Sequence, residues 1–334
     1  MIACLRGAGA EVVERHVPVW EGRENWSAGA RTAARLVSAE MRLLARRPGR
    51  TFDAVIVGYP GHFDLPAARW AARGARLIFN PLVSLHETLV EDRLRFAAAT
   101  PAALALRRLD RFALRRADVV VADTEQNARH LGELGQLPRS RLNVCFVGAE
   151  ERLFRPGWER SEDFHALFVG KLIPLHGLET ILAAARLAPE IRFRIVGSGQ
   201  LEALLRDPPP NVEWTDWVEY DLLPQELYRA GCALGVFGTS AKARRVIPNK
   251  AFQALACGTP LVTADTAAAR ELLRDGTDAL LVPPGDPAAL AAAVRRLAAD
   301  ADLARKLGAG GLVTYTERAS ERVLGEQWLE LVSR

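Results

Sequence analysis

The stretch Leu167-Phe168-Val169-Gly170-Lys171-Leu172-Ile173-Pro174-Leu175-His176-Gly177-Leu178-Glu179 decides the fold. An unbroken apolar run ending at Val169 reads as a strand covered on both faces, the pattern of parallel sheets. Gly170 ends it, and a residue without a side chain lets a ligand phosphate approach the backbone. His176-Gly177 then opens a helix predicted over 178–187, whose amino end offers unpaired N–H groups and a positive dipole end to an anion. Lys171 and His176 therefore flank one diphosphate in this reading. The plainer alternative is a strand-turn-helix with a surface lysine.

The same rhythm runs outward in both directions. Before this stretch, strands are predicted at Ala54–Val57, Ala75–Phe79, Asp118–Ala122 and Asn143–Val147. After Ala166–Val169 they recur at Phe193–Val196, Val212–Thr215, Ala233–Phe237, Pro260–Thr263 and Ala279–Val282. The expected architecture is α/β, two Rossmann-like domains facing a cleft. Residues 1–150 form the first domain, 151–163 a linker and 164–312 the second. A terminal helix is expected over 313–334, and by the family resemblance given below it crosses back to the first domain. Ligands of such sheets bind beyond the carboxyl ends of strands. Met1–Gly9 reads as the end of a helix, with Ala10–Val19 as the following strand, so the first domain is expected to lack its first strand.

Composition excludes several classes. With 49% hydrophobic and 25% charged residues the chain is globular in character, and no apolar run reaches the roughly 20 residues of a membrane span. The four cysteines are scattered without a Cys-x-x-Cys pair, which fits free thiols in a reducing cytoplasm. Residues 1–160 hold 25 Arg and no Lys against 18 acidic residues, so the first half carries +7 of a net +4. No basic cluster interleaves with aromatics as single-strand nucleic-acid binders need, and nucleic acid is not expected as a partner. Asp300-Ala301-Asp302 reads as a helix cap rather than a metal site, and no metal-ligand spacing occurs elsewhere.

The opening stretch resembles the start of the donor domain in family 4 (group 1) glycosyltransferases of the GT-B fold, in a variant carrying Ile-Pro-Leu-His-Gly. That family has Gly-Arg/Lys-Leu, a Pro, then Lys-Gly, so Lys171 and His176 match the two basic positions. Further resemblances follow in the family's order. Gly197-Ser198-Gly199 is similar to the next strand-end Gly-x-Gly, and Trp217-Val218 to the base-binding segment. Trp217 is open between stacking near a base and core packing. Pro248-Asn249-Lys250 begins the helix that normally carries the second glutamate of an E-x7-E signature. Here Gln253 and Arg245 stand at the two glutamate positions. Ala268 and Glu271 match the Gly-Gly-x-x-Glu neighbourhood.

The resemblance implies a nucleotide-sugar donor, retention at the anomeric carbon and no metal or other cofactor. It assigns Lys171, Lys250 and His176 to charge stabilisation. It assigns Gly170, Gly197, Gly199, Trp217, Val218, Pro248, Asn249, Gln253, Ala268 and Glu271 to the donor. A histidine at 176 is expected to be a weaker, pH-dependent cation than lysine. Strand ends of the first domain supply acceptor candidates: His62, Asn80, Ser84 and His86, then Asp92-Arg93 and Asp123-Thr124. The acceptor is expected to be a sugar, a lipid-linked sugar or a small molecule. The family is mostly cytoplasmic, and the Arg-rich stretches Arg31–Arg50 and Leu104–Arg116 suit peripheral contact with the inner membrane face. The missing carboxylates leave a second reading, a catalytically impaired nucleotide-binding scaffold.

Overall fold

The computed structural model describes residues 1–19, 30–45, 49, 51–92 and 95–334. Arg93 and the end of the Arg31–Arg50 stretch lie outside the described residues. Two compact units emerge: one of 2–122, 128–145 and 326–334, the other of Met1, 123–127 and 146–325.

The first unit holds α1 (Ile2–Gly7), α2 (Ala30–Ala45), β1 (Ala54–Val57), α3 (Leu65–Ala72), β2 (Arg76–Phe79), α4 (Pro101–Arg116) and β3 (Val119–Ala122). It continues with most of α5 (Glu125–Gly135) and with β4 (Leu142–Val144). Among the described residues its sheet is parallel, in the order β1-β2-β3-β4. All four residues of β3 are buried, as a doubly covered parallel strand demands. Phe79, Leu77, Leu114, Val120 and Leu131 centre the core. Helix α4 starts where Thr100 accepts from the Ala103 N–H at 3.3 Å, with Pro101 at its first position.

Ala10–Val19 is not a strand. Most of its side chains are exposed, and it pairs with none of the described strands. A strand needs a neighbour for its backbone groups, which alternating apolarity alone does not reveal.

The second unit carries β5 (His165–Val169), α6 (Leu178–Leu187), β6 (Arg192–Val196), β7 (Val212–Thr215), α7 (Leu223–Arg229), β8 (Cys232–Leu234) and α8 (Asn249–Cys257). Then come β9 (Leu261–Ala264), β10 (Leu280–Val282), α9 (Pro287–Ala299), α10 (Ala301–Arg318) and the first turn of α11 (Glu321–Ser333). Its parallel sheet runs β10-β9-β8-β5-β6-β7, so the chain reverses direction across the sheet between β5 and β8. That reversal makes a switch point, and a crevice opens at the carboxyl ends of those two strands. One face of the sheet is covered by the core around Phe168, Leu178, Leu182 and Val294, the other by that around Leu167, Phe252, Leu255 and Leu261. Asp300 caps α10, accepting from the Leu303 N–H at 2.9 Å, so the Asp-x-Asp triplet is a helix start as expected.

The stretch expected as a linker is packed into this second unit. Phe154 is buried, Trp158 Nε1 donates to the Ala230 carbonyl at 2.7 Å, and Arg160 reaches the carbonyls of Leu297 and Ala298. The change of unit in helix α11 falls between Gly325 and Glu326. Its last residues belong to the first unit, where Arg76 Nη1 donates to the Leu331 carbonyl at 3.2 Å.

Candidate functional site

Three glycines build the floor at the ends of β5 and β6. Gly170, Gly197 and Gly199 have φ of 145°, 140° and 153°, a region open in practice to glycine. A Cβ on Gly197 would lie 2.0 Å from the Gly170 carbonyl oxygen, and one on Gly199 would lie 2.7 Å from that of Leu172. Gly197 and Gly199, assigned to the donor by resemblance, therefore let the two strand-end loops interlock. The Gly199 N–H donates to Glu202 Oε1 at 2.6 Å, so a carboxylate of the chain already occupies that amide.

Gly170 faces the site. A Cβ there would lie 2.8 Å from Lys250 Nζ and 3.5 Å from His176 Cε1. Lys250, in the first turn of α8, sets Nζ 3.5 Å from the centroid of the Phe168 ring. The nitrogen is shielded from solvent and has no hydrogen-bond partner among the described residues. Burial holds this amine well below the ordinary lysine range. The ring of His176 stands edge-on to the same Phe168, with centroids 5.7 Å apart. One aromatic side chain thus seats both polar groups.

His176 is not the pH-dependent cation expected from sequence. Its Nδ1 lies 2.5 Å from the Lys171 carbonyl oxygen, and burial followed by the nearby Lys250 and Lys242 pushes its pKa down to about 3. At neutral pH the imidazole is uncharged. The Phe237 N–H donates to the His176 carbonyl at 3.1 Å, which stitches this turn to the end of β8. The Lys171 side chain is exposed.

The remaining donor candidates spread around this centre. Gln253, one turn after Lys250 on α8, donates from Nε2 to the Tyr220 hydroxyl at 3.5 Å. Pro248 caps α8, and Asn249 is exposed beside it. Trp217 is 66% exposed, which removes the core-packing reading. Val218 is half-buried against the core under α7 and α8. Ala268 is fully buried and is not brought to the site surface. Glu271 accepts from the N–H groups of Glu125 at 2.6 Å and Gln126 at 3.0 Å, residues of the 123–127 segment that belongs to this unit. Both its oxygens are committed to backbone, a positioning contact in place of the expected donor contact.

In the first unit the acceptor candidates form a buried network. Asp110 of α4 accepts from Ser84 Oγ at 2.6 Å and from the N–H groups of Leu85 at 2.9 Å and His86 at 3.0 Å. His62 places Nε2 3.4 Å from the same carboxylate and packs edge-on against Phe79 at 5.1 Å. Burial lowers the His62 pKa, while Asp110 opposes that shift. Asn80 donates to the Val121 carbonyl at 2.9 Å. His62, Asn80, Ser84 and Asp92 are all buried. His86 is half-buried on that loop. Asp123, buried and hydrogen-bonded to Asn127 at 2.6 Å, has its carboxyl raised to about 6, chiefly by burial.

Nearby, Glu40 of α2 shares a hydrogen bond with Asp64 at the start of α3, and burial with that neighbour raises it from 4.5 to about 8. A folded state that keeps a proton the unfolded chain releases loses stability as pH rises from 4.5 to 8. Glu40→Gln removes this dependence. The variant should gain on the native chain between pH 5 and pH 8, by on the order of 1 kcal/mol at pH 8, solvent screening having reduced the full effect. Thermal melts at the two pH values check it; an unchanged difference would refute the shared proton.

The sequence matches now have a geometry to stand on. The family described as "Glycosyl transferases group 1" matches residues 163–300, and the "Glycosyl transferase 4-like domain" matches residues 3–148. Glycosyltransferase families thus match both halves of the chain. It is 28% identical to D-inositol 3-phosphate glycosyltransferase 1 of Catenulispora acidiphila, over 97% of this chain and 79% of that one. It is 29% identical to a lipopolysaccharide core biosynthesis glycosyltransferase of Rhizobium meliloti, over 52% of this chain and 50% of that one. Across most curated relatives it matches, the chain spans about half of their length. Anabaena HepE, solved with UDP-glucose, superposes with a TM-score of 0.68 at 16% identity, covering 90% of this chain and 82% of its own. Sucrose-phosphate synthase of Thermosynechococcus elongatus gives 0.70 at 18%, covering 90% and 77%. The fold is GT-B.

Three residues of this chain escaped the sequence reading. Lys242 is buried close enough to His176 to lower its pKa, and the scarcity of lysine was the one available signal. Glu202 stands where a dinucleotide fingerprint has its third glycine, and reads there simply as a mismatch. Asp110 sits inside Leu-Arg-Arg-Leu-Asp-Arg, which looks like a solvated face. Among the described residues no group of three His, Cys, Asp or Glu side chains could hold a metal ion.

Proposed function

We propose that the chain transfers a sugar from a UDP- or GDP-linked donor to an acceptor hydroxyl, with retention at the anomeric carbon and without a metal ion. The observation that carries this reading is the Lys250 amine, shielded and without a hydrogen-bond partner among the described residues, beside Gly170 at the switch point of a GT-B sheet. Burial makes this amine costly to charge, and an anion set beside it offsets that cost. A diphosphate is such an anion, and the UDP-glucose complex of HepE makes UDP the first nucleotide to try.

In the reaction, the bond from the anomeric carbon to the diphosphate oxygen breaks and its electron pair stays with the diphosphate. The acceptor oxygen bonds to the anomeric carbon, and its proton passes to the leaving phosphate oxygen. Lys250 and Lys171 oppose the charge that develops. Because the departing phosphate takes the proton, no carboxylate base is required, which suits Gln253 and Arg245 at the usual glutamate positions.

The test is a screen of UDP- and GDP-sugars, with and without EDTA, alongside calorimetry with UDP and GDP. The reading expects one nucleotide to bind and its sugar to be transferred or hydrolysed equally well in EDTA. Failure to bind either nucleotide would overturn it.

The cellular role fits envelope polysaccharide, glycolipid or glycoconjugate synthesis on a cytoplasmic membrane face. Val37 and Met41 on α2 are 63% and 61% exposed beside Arg35 and Arg42. On α4, Leu104 and Phe112 are 50% and 46% exposed beside Arg107, Arg108 and Arg116. Apolar side chains among arginines suit an anionic bilayer, at about 1 kcal/mol per arginine near its surface. Among the described residues no helix is long and apolar enough to cross a membrane. Sedimentation with phosphatidylglycerol vesicles should carry the chain down at low salt and release it at high salt; a chain that stays in solution at low salt contradicts the contact.

A further inference from the structure

The two polar groups seated on Phe168 differ in what they can bind. A backbone carbonyl only accepts, so the contact of His176 Nδ1 with the Lys171 oxygen at 2.5 Å fixes the ring proton on Nδ1. In a neutral ring Nε2 is then a lone pair, and it has no partner among the described residues. Phosphate oxygens are also acceptors and gain nothing from such an atom. A hydroxyl can donate to it.

Position says which hydroxyl. The turn of His176 follows β5 and is stitched to the end of β8 through Phe237. Tyr220 follows β7, two strands away on the other side of β5, and holds Gln253 there. Lys250 and Gly170 lie between. A donor with its diphosphate at Lys250 and its nucleoside towards Tyr220 and Gln253 carries its sugar to the His176 side. We propose that His176 is a specificity residue that accepts a hydrogen bond through Nε2 from a hydroxyl of the transferred sugar, leaving the diphosphate charge to the lysines. This rests on the nucleotide-sugar reading above. It also gives Arg245 and Gln253 a counterpart, since the acceptor atom missing from the usual glutamate position is supplied from another loop.

The test compares His176→Ala, His176→Gln and His176→Lys with the native chain, each first shown to melt cooperatively. Calorimetry measures UDP and GDP binding, and steady-state transfer uses the donor found in the screen. Glutamine keeps an acceptor oxygen, whereas lysine offers only donors and a charge. The nucleoside diphosphate should bind the alanine and glutamine variants within about threefold of native, and the lysine variant at least as well. Transfer should fall at least tenfold in the alanine and lysine variants and stay within about threefold in glutamine. The donor lacking the contacted hydroxyl should react equally with the native and alanine proteins.

A lysine variant as active as native would overturn the proposal, and so would a tenfold loss of nucleoside diphosphate binding in the alanine variant. If the native chain binds neither nucleotide, the nucleotide-sugar reading itself falls. If it binds and transfers but the variants behave in those ways, the role of His176 alone falls.

Discussion

Lys250→Met should lower kcat/KM for the sugar donor by a hundredfold or more and at the same time raise the melting temperature. The first effect follows from removing a preorganised positive group at the leaving diphosphate, worth about 3–4 kcal/mol in comparable charge-stabilising sites. The second follows from the same atom in the empty protein. Nζ is shielded, lacks a partner among the described residues and lies 3.5 Å over the Phe168 ring. Methionine keeps the stem and its packing while discarding a polar group that water can no longer solvate. That should stabilise the second unit by about 1–2 kcal/mol, or roughly 3–6 °C. Steady-state kinetics and a thermal melt on one preparation test both. Loss of activity with a lowered melting temperature would mean that the amine has a structural partner, and the phosphate reading would fail with it.

Gly197→Ala should be the most damaging single methyl in the second unit. Its φ of 140° is already costly for alanine, and the added carbon would sit 2.0 Å from the Gly170 carbonyl oxygen and 2.9 Å from its carbonyl carbon. The obstruction is backbone, so no side-chain rotation relieves it. We expect about 3–5 kcal/mol of destabilisation, with nucleotide binding lost because Gly170 must move. Gly276→Ala is the control. Its φ is 69°, but nothing lies within 4 Å of the new methyl, so strain alone should cost about 1 kcal/mol. Chemical denaturation of both variants decides it; equal losses would show that crowding at Gly170 has no weight.

The fold was legible because parallel strands announce themselves as short apolar runs ended by glycine or polar turns. The run Val119-Val120-Val121-Ala122 is such a case, and its predicted and observed bounds differ by one residue. Val12-Val13 and Val17-Pro18-Val19 gave a similar signal without a sheet neighbour, and there the reading failed. Gly170, Lys171 and His176 stand out in the sequence because one turn holds them together. Their chemistry was less visible. The charge of His176 depends first on burial and then on Lys250, whose closeness comes from β5 and α8 sharing Phe168, and no local pattern encodes that pairing. Buried carboxylates were the hardest to see. Asp110 gathers three hydrogen bonds, with His62 beside it, only once the loop after β2 folds over it.

The crossing within α11 also bears on synthesis. Domains generally form in the order in which the ribosome releases them. Here the first unit includes residues 326–334, and Arg76 at the start of β2 waits for the Leu331 carbonyl. The half translated first is therefore completed after the half translated second. Fragments expressed separately on either side of the 151–163 stretch would leave that first half short of its closing turn.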